Sequence, residues 1–227
     1  MVRSRVPTRR TPTWISLGGA WLALIAGYVN ALGFLGAARR GLSHVTGQVT
    51  ELAIEMSDGH TEIAGSTALL VAMFFLGAAI SGALISDGEV SVSGRRYGVV
   101  LLLESAVLAT AGVLMPRHPW WAVKLMPLAM GMQNALATSY SGAVVRTTHV
   151  TGLVTDLGLL LGRTLRGEDV DTARLKLLAL LFFSFFLGGI LGVEATRSIG
   201  EKSLFVASEA LALAAIDWRY VSTRAAR

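Results

Sequence analysis

SHVTGQVTEL at Ser43–Leu52 returns as THVTGLVTDL at Thr148–Leu157, with three of its ten positions changed. The resemblance extends outward on both sides. GYVNALGF from Gly27 carries Asn30, and GMQNAL from Gly131 carries Asn134, at an offset of 104 that becomes 105 between the motifs themselves. His44 thereby matches His149, Thr46 matches Thr151, Gly47 matches Gly152, Thr50 matches Thr155, and Glu51 matches Asp156. Further on, FFLGA at Phe74 answers FFLGG at Phe185, and LLESAVLATA from Leu102 answers ASEALALAA from Ala207, setting Glu104 against Glu209. The chain reads as two related halves, each centred on one copy of the motif.

Composition fixes the solvent. Of 227 residues, 53% are hydrophobic and 15% charged, too few charges for the surface of a water-soluble domain. Twenty-four residues between Glu62 and Asp87 carry no charge, and twenty-eight lie uncharged between Arg10 and Arg39. Each run exceeds the roughly 20 helical residues that cross a hydrocarbon core. The absence of cysteine excludes disulfides, thiolate nucleophiles and thiolate metal sites. The basic start MVRSRVPTRR looks like the head of a signal peptide. The apolar stretch behind it, Trp14 to Ala38, is however longer than a signal core and contains Asn30, so it is predicted to remain as a span.

In chain order the sequence predicts spans at about Trp14–Ala38, Ile63–Ser86 and Tyr97–Met115, then from Trp120 to about Ser141, and two more after the second motif. The motif segments, the first at about Thr46–Met56, are short and polar. The expected fold is therefore an all-α integral membrane protein of two inverted repeats, each with three transmembrane helices and an extra short motif helix. The alternative is eight spans in parallel repeats. Residues 1–13 form a basic cytoplasmic N-terminal arm, 14–116 the first membrane repeat, 117–220 the second and 221–227 a tail, all within one integrated membrane domain. With the N-terminus cytoplasmic, six spans put 14 of the 20 basic residues inside and eight spans put 13, so the positive-inside rule hardly separates them. Short or Gly-interrupted segments at matching places in two halves often mark a transporter's central site, which favours the inverted arrangement.

With GYVNALGF, SHVTGQVTELA, GMQNAL and THVTGLVTDLG at these spacings, the chain resembles the YoaK family (domain of unknown function 1275) over nearly its whole length. The resemblance implies a bacterial multi-pass inner-membrane protein and supplies no catalytic or binding residue.

The candidate residues follow from chemistry. A threonine and a glycine open each motif helix, where threonine can cap free N–H groups. Two such helix starts meeting in mid-membrane would offer donors and positive dipole ends to an anionic group. Substrate contacts are thus expected from Asn30, Thr46, Gly47, Asn134, Thr151 and Gly152, with Gln133 beside them. Proton-responsive groups are expected at Glu51, Glu104, Asp156, His44 and His149, because carboxylates and histidines in or near hydrocarbon are costly unless paired, protonated or functional. Glu104 lies close to the middle of its span, and Glu209 in a shorter one. Simple capping, packing and interhelical hydrogen bonding would employ the same residue types. His and carboxylate spacings match no zinc motif, so no metal and no cofactor are expected.

The expectation for function is a small secondary transporter or channel-like carrier for a small polar or anionic solute, possibly proton-linked, in the bacterial inner membrane. A non-transporting scaffold is the alternative, and an intramembrane enzyme finds no nucleophile elbow or phosphate loop to support it. Expected partners are membrane lipids and a small-molecule solute. Nucleic acid is not implied by the charge of +5, since basic residues cluster at segment ends. Gly-rich and Ala-rich faces leave room for a homodimer without singling out one face.

Overall fold

The computed structural model of the chain describes residues 12–36, 41–85, 95–141 and 145–225. The predicted basic arm therefore lies almost wholly outside the described residues, as does most of the polar loop from Asp87 to Arg96. Among the described residues there are eight α-helices, one 3-10 turn at Gly200–Lys202, and no strand. The helices are α1 Thr13–Leu35, α2 Val45–Ser57, α3 Thr61–Leu84, α4 Arg95–Leu114, α5 Pro119–Ser141, α6 Val150–Leu165, α7 Thr172–Ile199 and α8 Ser203–Ala225. Four stretches are long and apolar enough to cross a membrane: Thr13–Leu35, Thr61–Leu84, Arg96–Leu114 and Thr172–Trp218, the last running from α7 into α8. Phe75, Phe183, Phe186 and Leu213 point outward from these stretches, as a lipid-facing surface requires. Among the described residues the fold is all-helical, and its apolar helices are those of a membrane protein.

The two motif helices, α2 and α6, begin one residue before the threonines expected to cap them. His44 and His149 occupy the cap positions, and no side chain bonds to the free N–H groups. Thr46 and Thr151 instead lie within the first turn. Both helices end alike, on glycines with φ of 77° at Gly59 and 73° at Gly167. The next N–H then closes back on the helix, His60 to the Glu55 carbonyl at 2.9 Å and Glu168 to the Arg163 carbonyl at 3.1 Å. At 13 and 16 residues, a rise of 1.5 Å per residue makes them about 20 and 24 Å long, short of a core about 30 Å thick.

Helix α7 has a side-chain cap. Asp171 accepts from the N–H groups of Ala173 at 3.0 Å and Arg174 at 3.1 Å. Asp171→Ala should cost about 1 kcal/mol of stability, read as an earlier unfolding midpoint in denaturant; an unchanged midpoint would show that the cap is idle.

The long helices pair across the two halves. α1 packs on α7, α3 on α5 and α4 on α8. The first two pairs touch backbone to backbone through glycine. A Cβ at Gly27 would fall on the Phe185 carbonyl oxygen and one at Gly188 on that of Leu24; likewise Gly131 meets Phe74 and Gly77 meets Leu128. Small residues of this kind allow helices to approach closely where lipid supplies no hydrophobic drive. The pair α4·α8 is joined instead by reciprocal hydrogen bonds: Ser105 Oγ donates to the Ser208 carbonyl at 2.8 Å, and Ser208 Oγ to the Ser105 carbonyl at 2.9 Å.

Contact order gives the directions. Gly98 lies near Ala215, Ser105 meets Ser208, and Gly112 meets Phe205, so α4 and α8 run antiparallel. Trp14 with Trp218, Trp21 with Ala210, and Tyr28 with Ser203 make α1 antiparallel to α8 as well. Lys124 bonds Ser66 while Leu128 and Met132 border Gly77, so α3 and α5 run the same way.

The same contacts correct the sequence alignment of the last helices. Ser105 pairs with Ser208, and buried Leu101 and Leu108 correspond to buried Leu204 and Leu211, a spacing of 103 rather than 105. Glu209 is exposed and is no counterpart of the buried Glu104.

Candidate functional site

Two asparagines anchor the motifs to the long helices. Asn30, buried on α1, accepts through Oδ1 from Ser43 Oγ at 3.2 Å and the Ser43 N–H at 3.4 Å, while its Nδ2 lies 3.4 Å from His44 Nε2. Asn134 on α5 accepts through Oδ1 from Thr148 Oγ1 at 2.8 Å and donates to the Met130 carbonyl at 3.0 Å. In both cases the hydroxyl residue just ahead of the motif histidine is tied to the asparagine. Buried Gln48 further fastens the first motif by donating to the Gly41 carbonyl at 3.0 Å.

The other motif candidates are distributed outward. Thr46, Gly47 and Thr151 are exposed, and the ring of His149 covers the position a Cβ would take on Gly152. α2 packs on α3 and α6 on α7. Among the described residues the two helix starts do not form one packed site. His44 stacks edge-on to Phe34, with ring centres 5.8 Å apart, and partial desolvation there lowers its pKa below the usual 6.5. Glu51 is half-buried, and Asp156 is ion-paired with Arg174 at 2.8 Å. That pair is more than a third exposed on both sides, where such bridges contribute little. Among the described residues no three His, Asp or Glu side chains cluster to hold a metal.

Polar groups in the interior are more constrained. Glu104 on α4 is fully buried, and neither carboxyl oxygen has a hydrogen-bond partner. Gln133 on α5 is also fully buried; its Nε2 donates to the Leu22 carbonyl at 2.8 Å and to Thr147 Oγ1 at 3.3 Å, but its Oε1 is unpartnered. Burying such atoms without partners costs roughly 1–3 kcal/mol each, so they need a compensating role. Lys124 was not singled out in the sequence. It is buried, donates to Ser66 Oγ at 3.0 Å and stands over the Trp120 ring at 4.7 Å. Its signal was a lone basic residue three positions after the Trp120–Trp121 pair.

Compared with known families, residues 18–216 match the model of a protein of unknown function, DUF1275. The chain belongs to the DUF1275 family. No curated protein and no solved structure is significantly similar to it. In this DUF1275 member a partly open cavity of about 560 Å³ lies between α1, α4, α5 and α8. It sits at the end of the bundle where α1 and α4 begin, with Trp14 and Tyr97 in its wall. Leu22, Leu101 and Leu136 also line it. Glu104 follows Leu101 by one helical turn, Gln133 precedes Leu136 by one turn, and Gln133 bonds the Leu22 backbone. Two of the four buried residues with unpartnered oxygens, Glu104 and Gln133, thus lie one turn from leucines of the cavity, whereas Gln48 and Ser81 are on α2 and α3.

Proposed function

We propose that the protein is a small secondary transporter or channel-like carrier of the bacterial inner membrane, with Glu104 as its proton-responsive group. Its two halves are inverted, each made of three spans and a short re-entrant motif helix, and its N-terminus is cytoplasmic. The helix directions support this topology. If α4 runs outward, antiparallel α8 runs inward, as does α5, which follows α4 through a tight turn. α1 is antiparallel to α8 and therefore outward, and α3 shares the direction of α5. Between the outward α1 and the inward α3, α2 has no membrane left to cross, and α6 stands likewise between α5 and α7. Parallel eight-span repeats would instead give α4 and α8 the same direction.

The single observation that carries the function is the fully buried Glu104, without a hydrogen-bond partner, one turn beyond a leucine of an open cavity. An apolar interior tolerates a carboxyl in its uncharged form, and ionisable groups at such depth are usually functional. Asn30 and Asn134 tie the motif loops to α1 and α5, and Gln133 keeps an unpartnered acceptor in the interior.

Proteoliposomes containing a trapped pH indicator test the reading, with and without each of a panel of amines, organic anions and sugars. At least one solute should drive proton movement in the native protein and none in Glu104→Gln. Identical traces for native protein, variant and empty liposomes under every condition would leave a scaffold as the better account.

A further inference from the structure

The cavity between α1, α4, α5 and α8 has a chemistry unlike that of the motif helix starts. Four aromatic side chains line it: Trp14, Trp21, Tyr97 and Trp218. Trp218 is central, with its ring centre 5.6 Å from that of Trp14 and 5.4 Å from that of Tyr97. The Trp21 indole N–H is already spent on the Ala210 carbonyl at 3.3 Å, so the ring offers the cavity carbon and π surface rather than a donor. Among the described residues of the lining, Asp217 is the one charged side chain. Glu104 and Gln133 do not line the cavity, but each lies one turn from a lining leucine, Leu101 and Leu136.

We infer that this cavity is a binding site for a monovalent hydrophobic cation, such as a quaternary ammonium or phosphonium ion. Aromatic faces attract a desolvated cation through their quadrupole, and quaternary ammonium groups are bound in cages of such rings. Asp217 supplies the matching charge, whereas an anion would meet that carboxylate with no basic side chain among the described lining residues. The volume suits a drug-sized ligand, and such pockets are largely apolar with few polar groups. The anionic solute expected from the helix starts of α2 and α6 finds no support here, because neither helix contributes to the lining.

The role of the site rests on the carrier reading: its mouth lies at the cytoplasmic end of that topology, so a cation would load from inside while a proton is exchanged at Glu104. Binding itself is measured apart from transport. The probes are tetraphenylphosphonium and tetraphenylborate, nearly equal in shape and hydrophobicity and opposite in charge, titrated against purified protein in a neutral detergent by tryptophan fluorescence and calorimetry. Tetraphenylphosphonium should bind saturably and tetraphenylborate should not. Asp217→Asn, a change at an exposed position, should weaken the phosphonium about five-fold, and Trp218→Leu should weaken it further. Equal binding of both ions, preference for the borate, or indifference to Asp217→Asn would overturn the cation site. Competition by phosphatidylethanolamine in nanodiscs, but not by phosphatidylglycerol, would identify a lipid headgroup as the source of the ammonium; no competition by either would identify a free solute. Saturable phosphonium binding without uptake by proteoliposomes would retain this site and count against the carrier, while solute-driven proton movement without phosphonium binding would do the reverse.

Discussion

Gly131→Ala should abolish the folded protein, and Gly27→Ala should do the same. At each position the added Cβ would fall on a backbone carbonyl of the partner helix, Phe74 for Gly131 and Phe185 for Gly27, and backbone cannot turn aside as a side chain can. The helices would have to separate. Because their association in lipid depends on close van der Waals packing and not on a hydrophobic drive, a shift of this kind forfeits the contact along much of the pair, several kcal/mol in total. Gly65→Ala and Gly82→Ala on α3 meet open space and should be neutral or slightly stabilising through helix propensity. Size-exclusion profiles and thermal unfolding in detergent read all four variants. A monodisperse, normally stable Gly131→Ala protein would mean that α3 and α5 do not cross at these glycines.

The second large effect is on function. Glu104→Gln should leave the fold intact, or slightly more stable, while removing proton movement altogether. Glutamine retains the shape and polarity of the neutral carboxyl but cannot exchange a proton. Infrared spectra should contain a carboxylic-acid C=O band in the native protein that disappears in the variant. Glu104→Gln with native proton movement would end the assignment of Glu104 as the proton-responsive group. By contrast, Asp156→Asn should change stability by under about 1 kcal/mol, since it removes only a partly exposed ion pair with Arg174.

Much of this fold was legible in the sequence, for identifiable reasons. The motif helices were recognisable because glycine, histidine and charge interrupt apolar runs at Arg39–Gly41 and again at SDGHTE. The depth of Glu104 followed from its distance to both ends of an otherwise apolar span. The match of Asn30 to Asn134 foreshadowed a common role, although its hydrogen bonds to Ser43 and Thr148 needed coordinates. Three features were not legible. Threonine and histidine are both plausible helix openers, and the two-residue difference between Thr46 and His44 is below what local pattern resolves. In a run such as ASEALALAA a two-residue slip of register leaves composition unchanged, so aligning the two glutamates looked natural although Ser105 and Ser208 are the residues that meet. The aromatic cavity draws Trp14, Tyr97 and Trp218 from three helices far apart in the chain, with no spacing that links them before the helices are packed.

Inverted halves would put the turns after α2 and α6 on opposite sides of the membrane. Side-specific labelling of single cysteines tests this most directly, since the native chain contains none. Ser57→Cys ends α2, and Asp169→Cys lies in the matching turn after α6; both positions are exposed. A membrane-impermeant maleimide applied to right-side-out and then inside-out vesicles should label Ser57→Cys from the outside and Asp169→Cys from the inside. Labelling of both from the same side would contradict inversion and restore the parallel eight-span arrangement.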